Sequence, residues 1–159
     1  MSYRKKQYLC DRKKAMTETK DDDLTRLPMQ HPCSLSKAER LTGEKNVRHL
    51  FVEGKSLIVF PLRVVFLPNY TQTVPIRVLF SVPKRRFRRA NKRNLLRRRI
   101  KEAYRLNKQL LHESSIQSTF AQMIAFTYIA NELLPFSLIE KKMQEALRIL
   151  QETWAKNAV

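Results

Sequence analysis

Apolar positions between residues 34 and 156 change period several times, and each change marks an element. Val47, Leu50 and Phe51 recur at helical spacing and Gly54 follows, which predicts a short helix over about 43–53. Thr42 is the expected N-cap, and Ser36-Lys37-Ala38-Glu39 just upstream has capping-box spacing. Three strand-like runs come next: Leu57 to Phe60, stopped by Pro61; Leu62 to Leu67, stopped by Pro68-Asn69; and Ile76 to Val82, after Pro75. Their short connections favour antiparallel neighbours. From Ala90 the period returns to helical. Leu96, Ile100, Ala103, Tyr104, Leu110 and Leu111 share one side, and no Pro or Gly interrupts the chain from Ala90 to Ser114. Met123 to Ile129 reads as a fourth strand. Leu138, Ile139, Met143, Ala146, Leu147, Leu150 and Trp154 then form a stripe on a last helix, from Ser137 as N-cap to about Lys156. That stripe reads as core, with Trp154 as an anchor. The order helix, three strands, helix, strand, helix predicts an α+β domain: one sheet with helices packed mainly against one face.

Charge changes this picture. The chain of 159 residues carries a formal net charge of +18, and it is unevenly placed. Lys84 to Arg105 holds twelve Lys or Arg in 22 residues with Glu102 as its one acid, a net of +11. Residues 1–33 sum to +3, residues 34–83 to +4 and residues 106–159 to zero. On the helical wheel Asn94, Arg97, Arg98, Lys101, Arg105 and Lys108 fall opposite the apolar side, flanked by Arg93 and Arg99. A solvated helix face mixes signs; a face of one sign repels itself unless a polyanion is bound, and the natural polyanion is nucleic acid.

Other chemistry is poorly supplied. Two Gly exclude Gly-rich phosphate loops, and no run reaches the length of a membrane span. Cys10 and Cys33 fit a reduced, cytoplasmic chain. His31, His49 and His112 are scattered, no Ser or Cys has a nucleophile setting, and Glu102 lies among cations that keep it ionised. No catalytic residue and no metal ligand set is expected. Residues 1–33, with Arg4-Lys5-Lys6, Arg12-Lys13-Lys14 and Asp21-Asp22-Asp23, read as a disordered basic tail, and residues 34–157 as the domain.

The run Ala90-Asn91-Lys92-Arg93-Asn94-Leu95-Leu96-Arg97-Arg98-Arg99-Ile100-Lys101-Glu102-Ala103-Tyr104-Arg105 resembles the arginine-rich signature of the bacterial ribonuclease P protein subunit. Arg40-Leu41, Val47, Leu50-Phe51 and Gly54-Lys55 look like that family's N-terminal helix and its exit. Two departures stand out. Leu95 occupies the place of the second Arg of the signature, and the loop Pro83 to Arg89 is about one residue longer than the common form and lacks its Gly.

The resemblance implies a two-layer αβββαβα sandwich, shared with the second domain of a small-subunit ribosomal protein, with a left-handed βαβ crossover around the basic helix. It implies a protein that assists endonucleolytic removal of the 5′ leader from precursor tRNA. Catalysis would belong to the ribonuclease P RNA, with Mg²⁺ held by that RNA and no cofactor on the protein. Arg93, Asn94, Arg97, Arg98, Lys101 and Arg105 would contact the catalytic RNA. Lys84, Arg85, Arg86, Arg88 and Arg89 would add phosphate contacts, with Phe87 anchoring their loop. Phe51, stacking on a leader base or packing in the core, and Arg63 and Arg77 are the candidates for a leader cleft between sheet and N-terminal helix. Ribonuclease P RNA and precursor tRNA would be the partners, with no membrane and no DNA. The competing readings are an rRNA-binding or ribosome-assembly protein and a stand-alone nuclease.

Overall fold

The computed structural model describes residues 34–69, 76–111 and 121–157. Its elements are α1 (Glu44–Glu53), β1 (Lys55–Val59), β2 (Leu62–Asn69), β3 (Ile76–Ser81), α2 (Ala90–Asn107), β4 (Ala121–Tyr128) and α3 (Phe136–Asn157). The predicted class and element order are observed. The tail of residues 1–33, Pro75 and His112 lie outside the described residues.

The four strands form one sheet in the order β1-β2-β4-β3. β1 and β2 are an antiparallel hairpin, Val59 opposite Leu62, turned by Phe60 and Pro61 across a cis peptide bond. β2 pairs antiparallel with β4, and β3 pairs parallel with it, so α2 is the crossover between two neighbouring parallel strands. β2 continues through Pro68 rather than ending there. β1 accompanies β2 only as far as the Lys55–Phe66 pair, so Pro68 sits where one side of β2 has no β1 neighbour and its missing N–H breaks no β1–β2 rung.

Strand alternation divides the sheet into two faces. Leu62, Val64 and Phe66 of β2, Ile76 and Val78 of β3, and Ile124, Phe126 and Tyr128 of β4 pack with Leu96, Ile100 and Tyr104 of α2 and Ile139, Met143, Leu147 and Leu150 of α3. Phe80, Tyr104 and Phe126 stack within this core, with centroids 5.5–5.9 Å apart. Trp154 is buried there as the expected anchor. The opposite face carries Val65, Met123 and Ala125, which enclose Leu50 of α1 and Leu41. So α2 and α3 share one face as expected, whereas the stripe of α1 is buried on the other.

The N-terminus of α1 differs from expectation. Its N-cap is Gly43, at φ 91°, and no side chain caps it; Thr42 instead offers its carbonyl to Asn46 Nδ2. Gly54 does end the helix, donating its N–H to Leu50 O at 3.0 Å, but in an extended conformation. Glycine is needed for close approach: a Cβ there would lie 2.3 Å from Leu50 O and 2.7 Å from Val65 Cγ1. Ser137 lies inside the first turn of α3, which the chain enters from Pro135, whose carbonyl accepts the Ile139 N–H at 3.3 Å.

Upstream of α1, Leu41 N–H donates to Val78 O at 2.9 Å and Val78 N–H to Glu39 O at 2.8 Å. Residues 39–41 thus strap the outer edge of β3. Glu39 then reaches Lys108, 3.0 Å between Nζ and Oε2, with both side chains largely buried.

Candidate nucleic-acid interface

α2 holds a self-repelling sequence in a helix because its other side is deeply packed. Leu96, Ile100 and Tyr104 are at most 1% exposed. Burial of each is worth about 1.5–3 kcal/mol. The like-charge pairs one turn apart (Arg93 and Arg97, Arg97 and Lys101, Lys101 and Arg105) cost about 0.2–0.5 kcal/mol each. Packing therefore wins, and the cations are displayed along a rod 18 residues long.

The entry loop is folded from within. Phe87 is buried, its ring 6.0 Å from that of Tyr128, as the anchoring role required. Arg86 and Phe87 N–H both turn back to Pro83 O. Lys84, Arg85, Arg88 and Arg89 are exposed around this anchor, and Arg86 is half-buried.

The cations fall into two groups by what holds them. Arg93 Nη1 donates to Phe87 O at 2.8 Å and Arg88 O at 2.5 Å. Arg99 Nη1 donates to Leu134 O at 2.6 Å, and Arg86 Nη1 to Asn131 Oδ1 at 2.5 Å. These acceptors are uncharged, so orientation is gained and positive charge kept. Asn94, Arg97 and Arg98 are exposed, and Lys101 is half-buried. Toward the C-terminal end the partners are acids. Arg105 forms a two-pronged pair with Glu102, 2.9 and 2.6 Å. Lys108 departs from the wheel reading altogether: α2 ends at Asn107, and Lys108 turns inward to Glu39. From Lys84 to Lys101 there are eleven Lys or Arg and no acid, so the uncompensated field belongs to the loop and the first part of the helix.

The leader-cleft candidates lie across the sheet from α2. Phe51 is 45% exposed at the rim of α1, next to buried Leu50. Arg63 pairs with Ile58 on one side and Thr127 on the other, and Thr127 pairs with Ser81, which makes one row across all four strands. Arg63 and Ile58 are exposed in that row, whereas Thr127 Oγ1 is buried with no hydrogen bond among the described residues. Arg77 has the same parity but stands two rows away, beside Met123, with Nε buried and unbonded. Arg63 and Arg77 are therefore separated by the footprint of α1. Arg63 and Arg77 are cleft candidates through the family resemblance; nothing in the sequence points to Ile58, Thr127 or Ser81 as row mates of Arg63, or to Asn131 and Leu134 as partners of the cationic surface.

The described residues contain no group of three metal-ligating side chains. Burial pushes the Tyr104 hydroxyl above the ordinary phenol range, helped by the Glu39 carboxylate, and burial likewise raises Tyr128. Both stay neutral phenols. No described helix is long and apolar enough to cross a membrane.

Fold and surface together define a strongly cationic α+β domain whose charge is gathered on a crossover helix and its entry loop. Comparison with known proteins makes this specific. Residues 35–151 match the family model Ribonuclease P. The chain is 43% identical over 114 residues to the ribonuclease P protein component of Porphyromonas gingivalis, covering 71% of this chain and 83% of that one. The Chlorobaculum tepidum component is 31% identical over 105 residues, 61% of this chain and 68% of its own. The fold matches the ribonuclease P proteins of Staphylococcus aureus (TM-score 0.56, 21% identity, 72% and 96% covered) and Thermotoga maritima (TM-score 0.55, 23% identity, 69% and 96% covered). The chain belongs to the ribonuclease P protein family. It is a protein component of the ribonuclease P holoenzyme, acts in tRNA processing and partners the ribonuclease P RNA.

Proposed function

We propose that the chain assists 5′-leader removal by holding two RNAs on opposite faces of its sheet. The loop Lys84–Arg89 and the outward side of α2 grip the ribonuclease P RNA through phosphates, with Arg97 and Arg98 central and Asn94 offering a donor and an acceptor. The 5′ leader of precursor tRNA runs across the face carrying α1, over the row of Ile58, Arg63, Thr127 and Ser81, with Phe51 stacking at its edge. Arg77 borders α1 on the far side. The RNA subunit cleaves the phosphodiester, using Mg²⁺ that it holds itself. The protein carries no cofactor, lowers the repulsion between two polyanions, and works in the cytoplasm without touching DNA.

The observation that carries this reading is the run of eleven cations without an acid from Lys84 to Lys101, with Arg86, Arg93 and Arg99 held by neutral oxygens. Reconstitution tests it. The full chain, the ribonuclease P RNA and a precursor tRNA are mixed at low Mg²⁺ and leader release is followed, with each component alone as control. Release that needs both protein and RNA supports the proposal. RNA binding without any change in cleavage would move the chain to the rRNA-binding reading. Cleavage by the protein alone would establish a stand-alone nuclease.

A further inference from the structure

The loop between β4 and α3 is not part of the cationic surface, yet it supplies the acceptors that hold Arg86 and Arg99 of that surface. Its first residue, Ile129, donates its N–H to Pro61 O at 2.9 Å, tying the loop to the β1–β2 turn. The hydroxyl of buried Tyr128 then folds the loop over itself. It donates to Glu132 O at 2.7 Å and accepts from Leu134 N–H at 3.3 Å. The same ring carries Phe87, the anchor of the basic loop. The folded loop presents two oxygens to cations 35 and 45 residues away in sequence: Leu134 O to Arg99 and Asn131 Oδ1 to Arg86.

We propose that Asn131 is a positioning residue for RNA binding: its amide oxygen sets the direction of the Arg86 guanidinium while leaving that charge available to an RNA phosphate. This rests on the reading above that the loop Lys84–Arg89 grips the ribonuclease P RNA. The choice of residue type carries the argument. An acid at 131 would hold Arg86 as well or better, as Glu102 holds Arg105 and Glu39 holds Lys108, but would cancel the charge. An amide has the same acceptor geometry and no charge. The Arg86 Nε is buried and unbonded among the described residues, so the bond to Asn131 Oδ1 is the tether on the outer side of the guanidinium. Asn131 is exposed, so its substitution opens no cavity in the core.

The experiment measures affinity of the full chain for the ribonuclease P RNA as a function of salt, for Asn131→Ala, Asn131→Asp, Arg86→Ala and the double variant Arg86→Ala/Asn131→Ala, with thermal melting alongside. Asn131→Ala should weaken binding about fivefold, as one loosened charge-assisted contact does. Asn131→Asp should weaken it further, and should lower the slope of log affinity against log salt by about 0.7–0.9, one phosphate equivalent. Melting should be unchanged in the first and equal or higher in the second. In the Arg86→Ala background Asn131→Ala should have no further effect. A purely structural role predicts the reverse order, with Asp binding as well as the parent; that result overturns the proposal. So does an Asn131→Ala variant that binds as the parent while Arg86→Ala is weakened. If Arg86→Ala itself binds as the parent, the phosphate role of Arg86 fails first, and the positioning role of Asn131 falls with it.

Discussion

Replacing Arg97 and Arg98 together by Ala gives the most direct test of where the useful charge lies. Both side chains are exposed on α2, and no ion pair or hydrogen bond engages either among the described residues. Their loss therefore removes charge and little packing, and because removing Arg97 relieves two like-charge pairs the domain should melt within a few °C of the parent and no lower than it. If each Arg neutralises one phosphate, the slope of log affinity against log salt falls by about 1.4–1.8 in total. Over a fourfold rise in salt, from 50 to 200 mM, the affinity gap between variant and parent should then narrow by about 7- to 12-fold. The matched control is Arg105→Gln/Glu102→Gln, which removes a pair that is already neutral. It should leave the slope unchanged, even though Arg105 belongs to the same signature. Filter binding or fluorescence anisotropy with the ribonuclease P RNA at five salt concentrations resolves these slopes. A double Arg variant with the slope of the parent, or a neutral-pair control that falls as steeply, would refute the assignment of the RNA grip to the N-terminal part of the helix.

Glu39→Ala takes the Glu39 carboxylate away from the largely buried Lys108 ammonium and should lower the melting temperature by several degrees; adding Lys108→Met should restore much of it. Gly54→Ala forces a methyl to within 2.3 Å of Leu50 O, so denaturant unfolding should show a loss of about 1–3 kcal/mol or more. Phe51→Ala should lower affinity for precursor tRNA by about 1–3 kcal/mol while leaving mature tRNA binding unchanged; a stability loss with no change in substrate affinity would assign Phe51 to packing. Leu95→Arg restores the signature at an exposed position and should steepen the RNA salt slope by about 0.7–0.9.

Most of the architecture could be read from the residues, because two independent periods agreed there. Leu96, Ile100 and Tyr104 marked the buried side of α2, while Arg97 and Arg98 marked the outer side, and both assignments are observed. Local rules failed where a distant partner decided the outcome. Lys108 continues the cationic wheel in sequence, but a carboxylate 69 residues upstream draws it inside. Pro68 looks like the end of a strand, yet β1 is too short to need its N–H. Thr42 and Ser137 are good caps by type and cap nothing; Gly43 and Pro135 occupy the cap positions instead. Asn131 was invisible for the same reason: nothing local to Ala130-Asn131-Glu132 refers to Arg86, and only the fold brings them together.

The parallel pairing of β3 with β4 has a consequence for how the molecule forms. The chain passes from one strand to its neighbour only through the most densely charged segment it has. Closing that pair carries the entropy of a long loop, and here the loop also repels itself. Ions or RNA phosphates that screen α2 lower the second part of that barrier. Salt should therefore act on this protein in two opposing senses, loosening its hold on RNA while easing the approach of the strands that build the site. RNA phosphates on α2 would give the same screening without that penalty, so refolding of the chain should quicken when the ribonuclease P RNA is present.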